Sequence, residues 1–220
     1  MTVDVSVVVP QRGQVDLTVA CVRGLRQWER AAPEIIVVDD GSPEADREAS
    51  RELEHFGCRM VWRMPTGVTA SWNAGWRAAR GRVVVFLNND VVIDGPFLEQ
   101  LVRPLGQVRI TGVRWREEQG VGRLLEGWCL ALQRETLVEL GGFDERMRVY
   151  FSDTELQRRV IAKWGSEAVR VPEGTWPVTH LGHRTAHNPA WREERRQVWR
   201  DDRRAFVRAI NRPRHHLANG

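Results

Sequence analysis

Residues 82–90, Arg-Val-Val-Val-Phe-Leu-Asn-Asn-Asp, constrain the fold more than any other stretch of this chain. Five apolar residues in a row, Val83 to Leu87, stand between Gly81 and the polar cluster Asn88-Asn89-Asp90. Such a run is a strand buried on both faces, the state of strands in a parallel sheet covered by helices. Open α/β sheets hold their ligands at the carboxyl ends of these strands. The cluster therefore sets two amides and a carboxylate where a ligand binds, and Asp90 suits a hard divalent cation. Read alone, the same residues are equally a polar turn bonding its own backbone.

The first half alternates strand and helix. Val5–Val9 reads as a buried strand ending at Pro10, and Val15, Val19, Val22, Leu25 and Trp28 give residues 14–30 a helical period. Glu34–Val38 is a second strand, residues 44–56 a helix, and Cys58–Trp62 a short strand. Gly67 precedes a helix over Ala70–Arg80 that stops at Gly81. Strands joined by helices in this way form βαβ units and a mainly parallel sheet. The second half is less regular: a short helix from Asp94 to about Leu105, then strands at Val108–Trp115 and Trp128–Gln133 around a charged loop at Glu117–Gly122. Helices follow at Glu135–Leu140 and Asp153–Trp164; residues 168–181 are strand-like but broken by Pro172 and Pro177. An Arg-rich helix runs from Pro189 to about Ile210.

At 220 residues the chain is one large domain, or one domain with an appendage. Cys21, Cys58 and Cys129 are odd in number, far apart and free of CxxC spacing, as reduced core thiols of a cytoplasmic protein are. No signal peptide or membrane-spanning run is expected. From Arg192 to Gly220 nine arginines face four carboxylates, whereas the remainder holds 24 basic and 25 acidic residues. The positive excess thus sits in the C-terminal segment, either as the solvated face of an amphipathic helix or as a phosphate-binding device.

Asp39-Asp40-Gly41-Ser42 directly follows a strand, at the same sheet edge as Asp90. Adjacent carboxylates repel unless one is paired or accepts hydrogen bonds. Either a tight turn or the N–H and O–H groups of a base and ribose would satisfy them. From about Val5 to Gly182 the chain resembles glycosyltransferase family 2, inverting nucleotide-sugar transferases with a GT-A fold, and is closest in motif style to rhamnosyltransferase-like members. The likeness rests on motifs in a fixed order: the opening strand Val5–Pro10, Ile35–Ser42, Gly67–Gly75 with Ala79 and Gly81, Phe86–Asp90, Gly141–Glu145 and Tyr150–Leu156. It implies an α/β fold with a mainly parallel central sheet and helices on both faces. The transferase domain would span residues 1–188, with a nucleotide-binding half (1–92) and an acceptor half (93–188). Residues 189–220 would form the basic helix and tail.

The resemblance also implies roles. Pro10, Asp39, Asp40, Gly67, Asn73 and Asn89 would bind the nucleotide, with Asp40 on the base and Asn89 beside the diphosphate. Asp90 and His180 would hold Mg²⁺ or Mn²⁺, although His180 is equally a structural histidine. The family often has Asp-x-Asp where this chain has Asn88-Asn89-Asp90, so only one carboxylate remains. Asp153 would be the general base in a direct displacement; family members commonly read Glu-Asp where this chain reads Ser152-Asp153. A positioned base contributes about 10²–10⁴-fold. Without the likeness, Asp153 reads as a helix cap. Trp128, Phe143 and Asp144 would meet the acceptor, Arg184 would help neutralise the leaving group, and Trp76 is expected in the core.

The implied partners are a UDP-, dTDP- or GDP-sugar donor and a glycan or lipid-linked glycan acceptor. The basic helix would suit an anionic membrane surface, placing a cytoplasmic enzyme at the bilayer periphery. With Trp191 and Trp199 it would also suit a nucleic-acid backbone, making a hydroxylated base the acceptor. A homodimer fits the chain's size. Ser152 and Asn88 leave room for a non-catalytic sugar-nucleotide-binding module, against which Asp40, Asp90 and Asp153 all stand.

Overall fold

The computed structural model describes residues 4–118, 122–182 and 192–211. A seven-stranded sheet in the order β10-β6-β9-β4-β1-β2-β3 organises the chain. Its parallel half holds β1 (Val5–Gln11), β2 (Glu34–Asp40), β3 (Cys58–Arg63) and β4 (Val83–Leu87). Helices α1 (Val15–Trp28) and α4 (Val68–Ala78) connect them, with α2 (Glu44–Ser50) and α3 (Glu52–His55) between β2 and β3. The β-branched runs do what a doubly covered sheet requires. Val7, Val9, Ile35 and Val37 pack in one cluster with Val22 and Leu25 of α1, while Val8, Ile36 and Val38 pack in another with Trp72 and Trp76 of α4. Alternation along each strand thus feeds both layers.

The second half extends the same sheet. β9 (Cys129–Gln133) pairs antiparallel with β4 and with β6 (Ile110–Gly112), and β10 (Val169–Arg170) closes that edge beside β6. Helices α6 (Arg134–Leu140) and α7 (Ser152–Trp164) follow, Leu137, Leu156 and Val160 joining the α4 cluster. The helix read after Asp94 is shorter, α5 (Leu98–Val102); the Glu29 carboxylate accepts from its first amides at 2.9 and 3.1 Å.

Two departures from the sequence reading shape the site. The strand expected over Val108–Trp115 breaks after Gly112. Its second part becomes β7 (Trp115–Glu118), a hairpin with β8 (Gly122–Leu125) in register Trp115↔Leu125. The chain also returns to strand just after Asp90, as β5 (Val91–Ile93), which pairs antiparallel with β11 (Val178–His180) so that His180 lies opposite Val91. Helix α8 covers Arg192–Ile210; Arg184, His183, His187, Pro189 and Trp191 lie outside the described residues.

All three cysteines are buried and free. Burial pushes the Cys21 thiol up to about 12 and that of Cys58 to about 11, so neither is a thiolate near neutral pH. Among the described residues no helix is long and apolar enough to cross a membrane.

Candidate active site

A cleft of about 680 Å³ opens where the strand order reverses, at the carboxyl ends of β1 and β4. Pro10, Gln11 and Arg12 enter from β1, Asp40 from β2, and Asn88, Asn89 and Asp90 from β4. Gly67 and Trp72 bring in α4; Trp128, Asp153 and His180 come from the second half. Eight residues expected at the site therefore do line one cleft: Pro10, Asp40, Gly67, Asn89, Asp90, Trp128, Asp153 and His180.

Asp90 and His180 meet because β5 and β11 pair. The Leu181 amide donates to the Asp90 carbonyl at 2.8 Å, which brings His180 Nε2 to 3.1 Å from Asp90 Oδ1. The indole of Trp128 stacks on the imidazole, 5.2 Å between centroids and 9° between planes, and its Nε1 donates to Glu126 at 2.6 Å. Trp128 thus fixes the ring orientation of His180. Asn88 Nδ2 lies 3.4 Å from the same imidazole nitrogen, and Asn89 donates to Thr18 at 3.0 Å. Among the described residues no cluster of three or more His, Cys, Asp or Glu is placed to hold an ion. One carboxylate and one imidazole fit a cation that completes its shell with phosphate oxygens and water, the habit of Mg²⁺ in nucleotide sites.

Asp153 sits in the first turn of α7, its side chain 18 % exposed. Arg116 of β7 reaches across from the hairpin: Nη2 donates to Asp153 Oδ2 at 2.9 Å and to Thr154 Oγ1 at 2.7 Å, and Nη1 to Glu118 at 2.5 Å. Gly127 lies against the same oxygen, where an added Cβ would stand 2.4 Å from Oδ2. That oxygen meets both a guanidinium and a bare backbone. Sequence reasoning missed Arg116, for no spacing ties a hairpin arginine to a carboxylate 37 residues onward.

Four expected residues do not line the cleft. Asp39 and Asp40 are neighbours on a strand, so they point to opposite faces of the sheet. Asp39 is fully buried and spent on its own turn: it accepts from the amides of Gly41 and Ser42, the Ser42 hydroxyl and Gln11 Nε2. Asp40 accepts from the Thr66 and Gly67 amides at 2.9 and 2.8 Å, which pins the β3–α4 turn to the cleft floor. Gly67 has φ +108°, and a Cβ there would stand 2.4 Å from the Arg148 carbonyl. Asn73 uses its whole amide on the 142–145 loop and α4: Nδ2 donates to Phe143 O and Glu145, while Oδ1 accepts from Phe143 N and Trp76 Nε1. Phe143 is core, edge-on to Phe86 and packed on Trp72. Asp144 pairs with Arg146; burial opposes its ionisation, but the Arg146 guanidinium and amide outweigh that and hold the carboxyl below its usual range. Asn73 and Asp144 brace the loop that leads into α7.

Helix α8 is part of the site. Its inner stripe, Val198, Asp202 and Phe206, is buried. Asp202 accepts from three consecutive amides, Arg148, Val149 and Tyr150, at 2.8–2.9 Å. Phe151 follows with φ +67°, an uncommon conformation for a bulky residue, kept by stacking on Phe206 at 5.3 Å. Glu194, which pairs with Arg12 at 3.4 Å, joins Arg195, Val198 and Trp199 along the cleft wall. The basic helix therefore packs on the loop leading into α7 with one face and is exposed on the other.

Comparison with known proteins bears on the family and the fold. The profile of the family described as "Glycosyl transferase family 2" matches residues 6–151, more than half of the chain. The O-antigen biosynthesis protein RfbC of Myxococcus xanthus is 28% identical over 74% of this chain, which spans only 16% of that relative. N-acetylglucosaminyl-diphospho-decaprenol L-rhamnosyltransferase of Mycobacterium tuberculosis is 38% identical over 30% of this chain and 21% of its own length. The chain thus spans about a quarter or less of these curated relatives. Among solved structures, glucosyl-3-phosphoglycerate synthase of Mycobacterium tuberculosis, with Mn²⁺ and UDP, superposes with TM-score 0.69 at 18% identity, covering 96% of this chain and 81% of its own. The mannosyltransferase PcManGT of Pyrobaculum calidifontis, with GDP-Man and Mn²⁺, gives 0.64 at 20%, covering 93% and 64%. These likenesses show an α/β fold shared with GT-A transferases. The chain belongs to glycosyl transferase family 2.

Proposed function

We propose that this protein moves a sugar from a nucleoside diphosphate to an acceptor hydroxyl in one displacement that inverts the anomeric centre. The observation that carries the reading is the placement of Asp153 and the Asp90–His180 pair on the walls of one cleft at the switch point of the sheet. Two buried polar atoms of cleft-lining residues, Gln11 Oε1 and Trp72 Nε1, have no hydrogen-bond partner among the described residues. The cleft wall also carries the side chains of Asn88, Asn89, Arg114 and Arg116, polar groups that favour a polar ligand. A UDP, dTDP or GDP moiety has the groups to meet them.

In this reading Pro10, Asp40, Gly67 and Asn89 shape the nucleotide end of the cleft. Asp90 and His180 hold Mg²⁺ or Mn²⁺, which when bound neutralises charge on the departing diphosphate. Asp153 accepts the proton of the acceptor hydroxyl at a carboxylate oxygen, and Arg116 holds that carboxylate in place for it. The names of the relatives favour a glycan or lipid-linked glycan as acceptor.

The test is turnover of a panel of nucleotide sugars by wild type and Asp153→Asn, with the product's anomeric configuration read by NMR. Inverted product, and a loss of about 10²–10⁴-fold in the variant with donor binding intact, is the expected result. Retained configuration, or an Asp153→Asn enzyme as active as wild type, overturns it.

A further inference from the structure

Asp202 is buried in the middle of an Arg-rich helix, and its oxygens are taken by three backbone amides of another segment. From this clamp we infer that Asp202, with Phe206 one turn on, is a positioning residue for the reaction. Through residues 148–151 it sets the carboxylate of Asp153, so that the basic helix serves turnover and not only stability. This role rests on the transferase reading above, in which Asp153 takes the acceptor proton.

The entry into α7 is what needs holding. The first amides of a helix have no partner within it, so its first turn follows the chain that leads in. Here that chain arrives through Phe151, whose side chain makes no capping hydrogen bond. Its φ of +67° is a conformation that a bulky residue keeps only where the surroundings impose it. The surroundings are α8: Phe206 stacks on the Phe151 ring, 5.3 Å between centroids and 18° between planes, and Trp199 tilts against it at 6.0 Å. Immediately upstream, Asp202 Oδ1 accepts from the Arg148 amide, and Oδ2 from those of Val149 and Tyr150. Three consecutive amides on one carboxylate, followed by a stacked ring, fix the path of the chain into the helix.

The body of α7 is held by other means, so the effect is local to its first turn. Gln157 bonds both the amide and the carbonyl of Leu125, at 2.7 and 3.1 Å, and Leu156 and Val160 are core. On the α4 side, Thr69 donates its amide to the Arg148 carbonyl at 3.1 Å and its hydroxyl to Ser152 at 2.9 Å. With the α8 ties removed, Phe151 relaxes out of the left-handed region while α7 stays docked, and the turn carrying Asp153 shifts against Arg116 and Gly127. A displacement of about 1 Å at a reacting group costs about 10²-fold in rate. Neither Asp202 nor Phe206 is among the residues lining the cleft, so donor binding is spared.

The test compares the full-length wild type with Asp202→Asn, Asp202→Glu and Phe206→Leu. Leu53→Ala serves as a control of lowered stability, since Leu53 is fully buried in the α1 cluster, away from the one that holds α7. Each is assayed with a nucleotide sugar that the wild type turns over, below its melting temperature, beside a donor titration and hydrogen exchange at amides 148–155. Asp202→Asn and Phe206→Leu should lower kcat about 10²-fold, leave donor Kd unchanged and speed exchange at these amides. Unchanged donor binding also shows that the variants are folded. Asp202→Glu should recover part of the rate, and Leu53→Ala should keep it. Faster exchange without a fall in kcat, an equal fall in Leu53→Ala, or an Asp202→Asn enzyme unchanged in both readouts overturns the inference. A wild type that turns over no nucleotide sugar, with exchange still dependent on Asp202, removes the transferase reading and leaves the clamp a purely structural one.

Discussion

At the scale of single residues, one carboxylate was legible while the two neighbours that hold it were not. Asp153 was marked by its motif and by nothing in local structure, since an Asp in a first helical turn is ordinary. Its neighbours Arg116 and Gly127 carried no sequence signal, because the hairpin and the β8–β9 turn bring them in from elsewhere in the chain. Gly127→Ala places a methyl group against Oδ2, so turnover should fall about 10²-fold, the usual cost of a misplaced reacting group, with donor binding unchanged. Steady-state kinetics beside a donor titration would show it; full activity would mean that the carboxylate has room to move. Adjacent Asp39 and Asp40 were legible as a pair but not individually, for the strand that continues through both turns them to opposite faces.

At the scale of elements, α8 carries the least expected role. Its arginines read either as a solvated face or as a phosphate-binding device, and Arg196, Arg200, Arg203, Arg204 and Arg208 are exposed. Its inner stripe depends on Asp202, a carboxylate within an Arg-rich run that composition alone gives no reason to bury. Asp202→Ala would strand three loop amides and cost about 3 kcal/mol, with α8 loosened from residues 148–151. Chemical denaturation would measure this; a change within about 0.5 kcal/mol, the range of ordinary surface substitutions, would show that the clamp does not bear on stability. The β5–β11 ribbon is a second case. Pro177 and the shortness of both strands hid it, yet it is what delivers His180 to Asp90.

For the whole molecule, the parallel half was legible because β-branched runs ending in Gly or Asp clusters admit few other arrangements. The antiparallel extension through β6, β9 and β10 was less so, since short strands of mixed composition leave pairing to tertiary contact. Acid should reveal how each half holds its own partly buried carboxylates. Burial opposes the ionisation of Glu34 and Asp144, but Ser6 and the Arg80 amide for the first, and Arg146 for the second, keep both below the usual carboxylate range. A carboxyl depressed in the folded state adds stability above its unfolded pKa and loses it as pH falls through the folded value. The melting temperature should therefore hold near neutrality and fall below about pH 4, less steeply in Glu34→Gln. An acid limb identical in that variant would contradict the assignment. The buried thiols should likewise stay unlabelled by a thiol reagent until the protein unfolds.

The measurement that bears most directly on the donor site is thermal stabilisation by UDP-, GDP- and dTDP-sugars, with and without Mn²⁺, in wild type and Asp90→Ala. With Asp90 and His180 as the candidate ligands and no cluster of three or more among the described residues, metal alone should stabilise little. One nucleotide with metal should stabilise the wild type strongly, and Asp90→Ala should lose the metal-dependent part. Stabilisation by no nucleotide at saturating concentration on folded protein, or a shift that Asp90→Ala leaves intact, would contradict the placement of nucleotide and metal in this cleft.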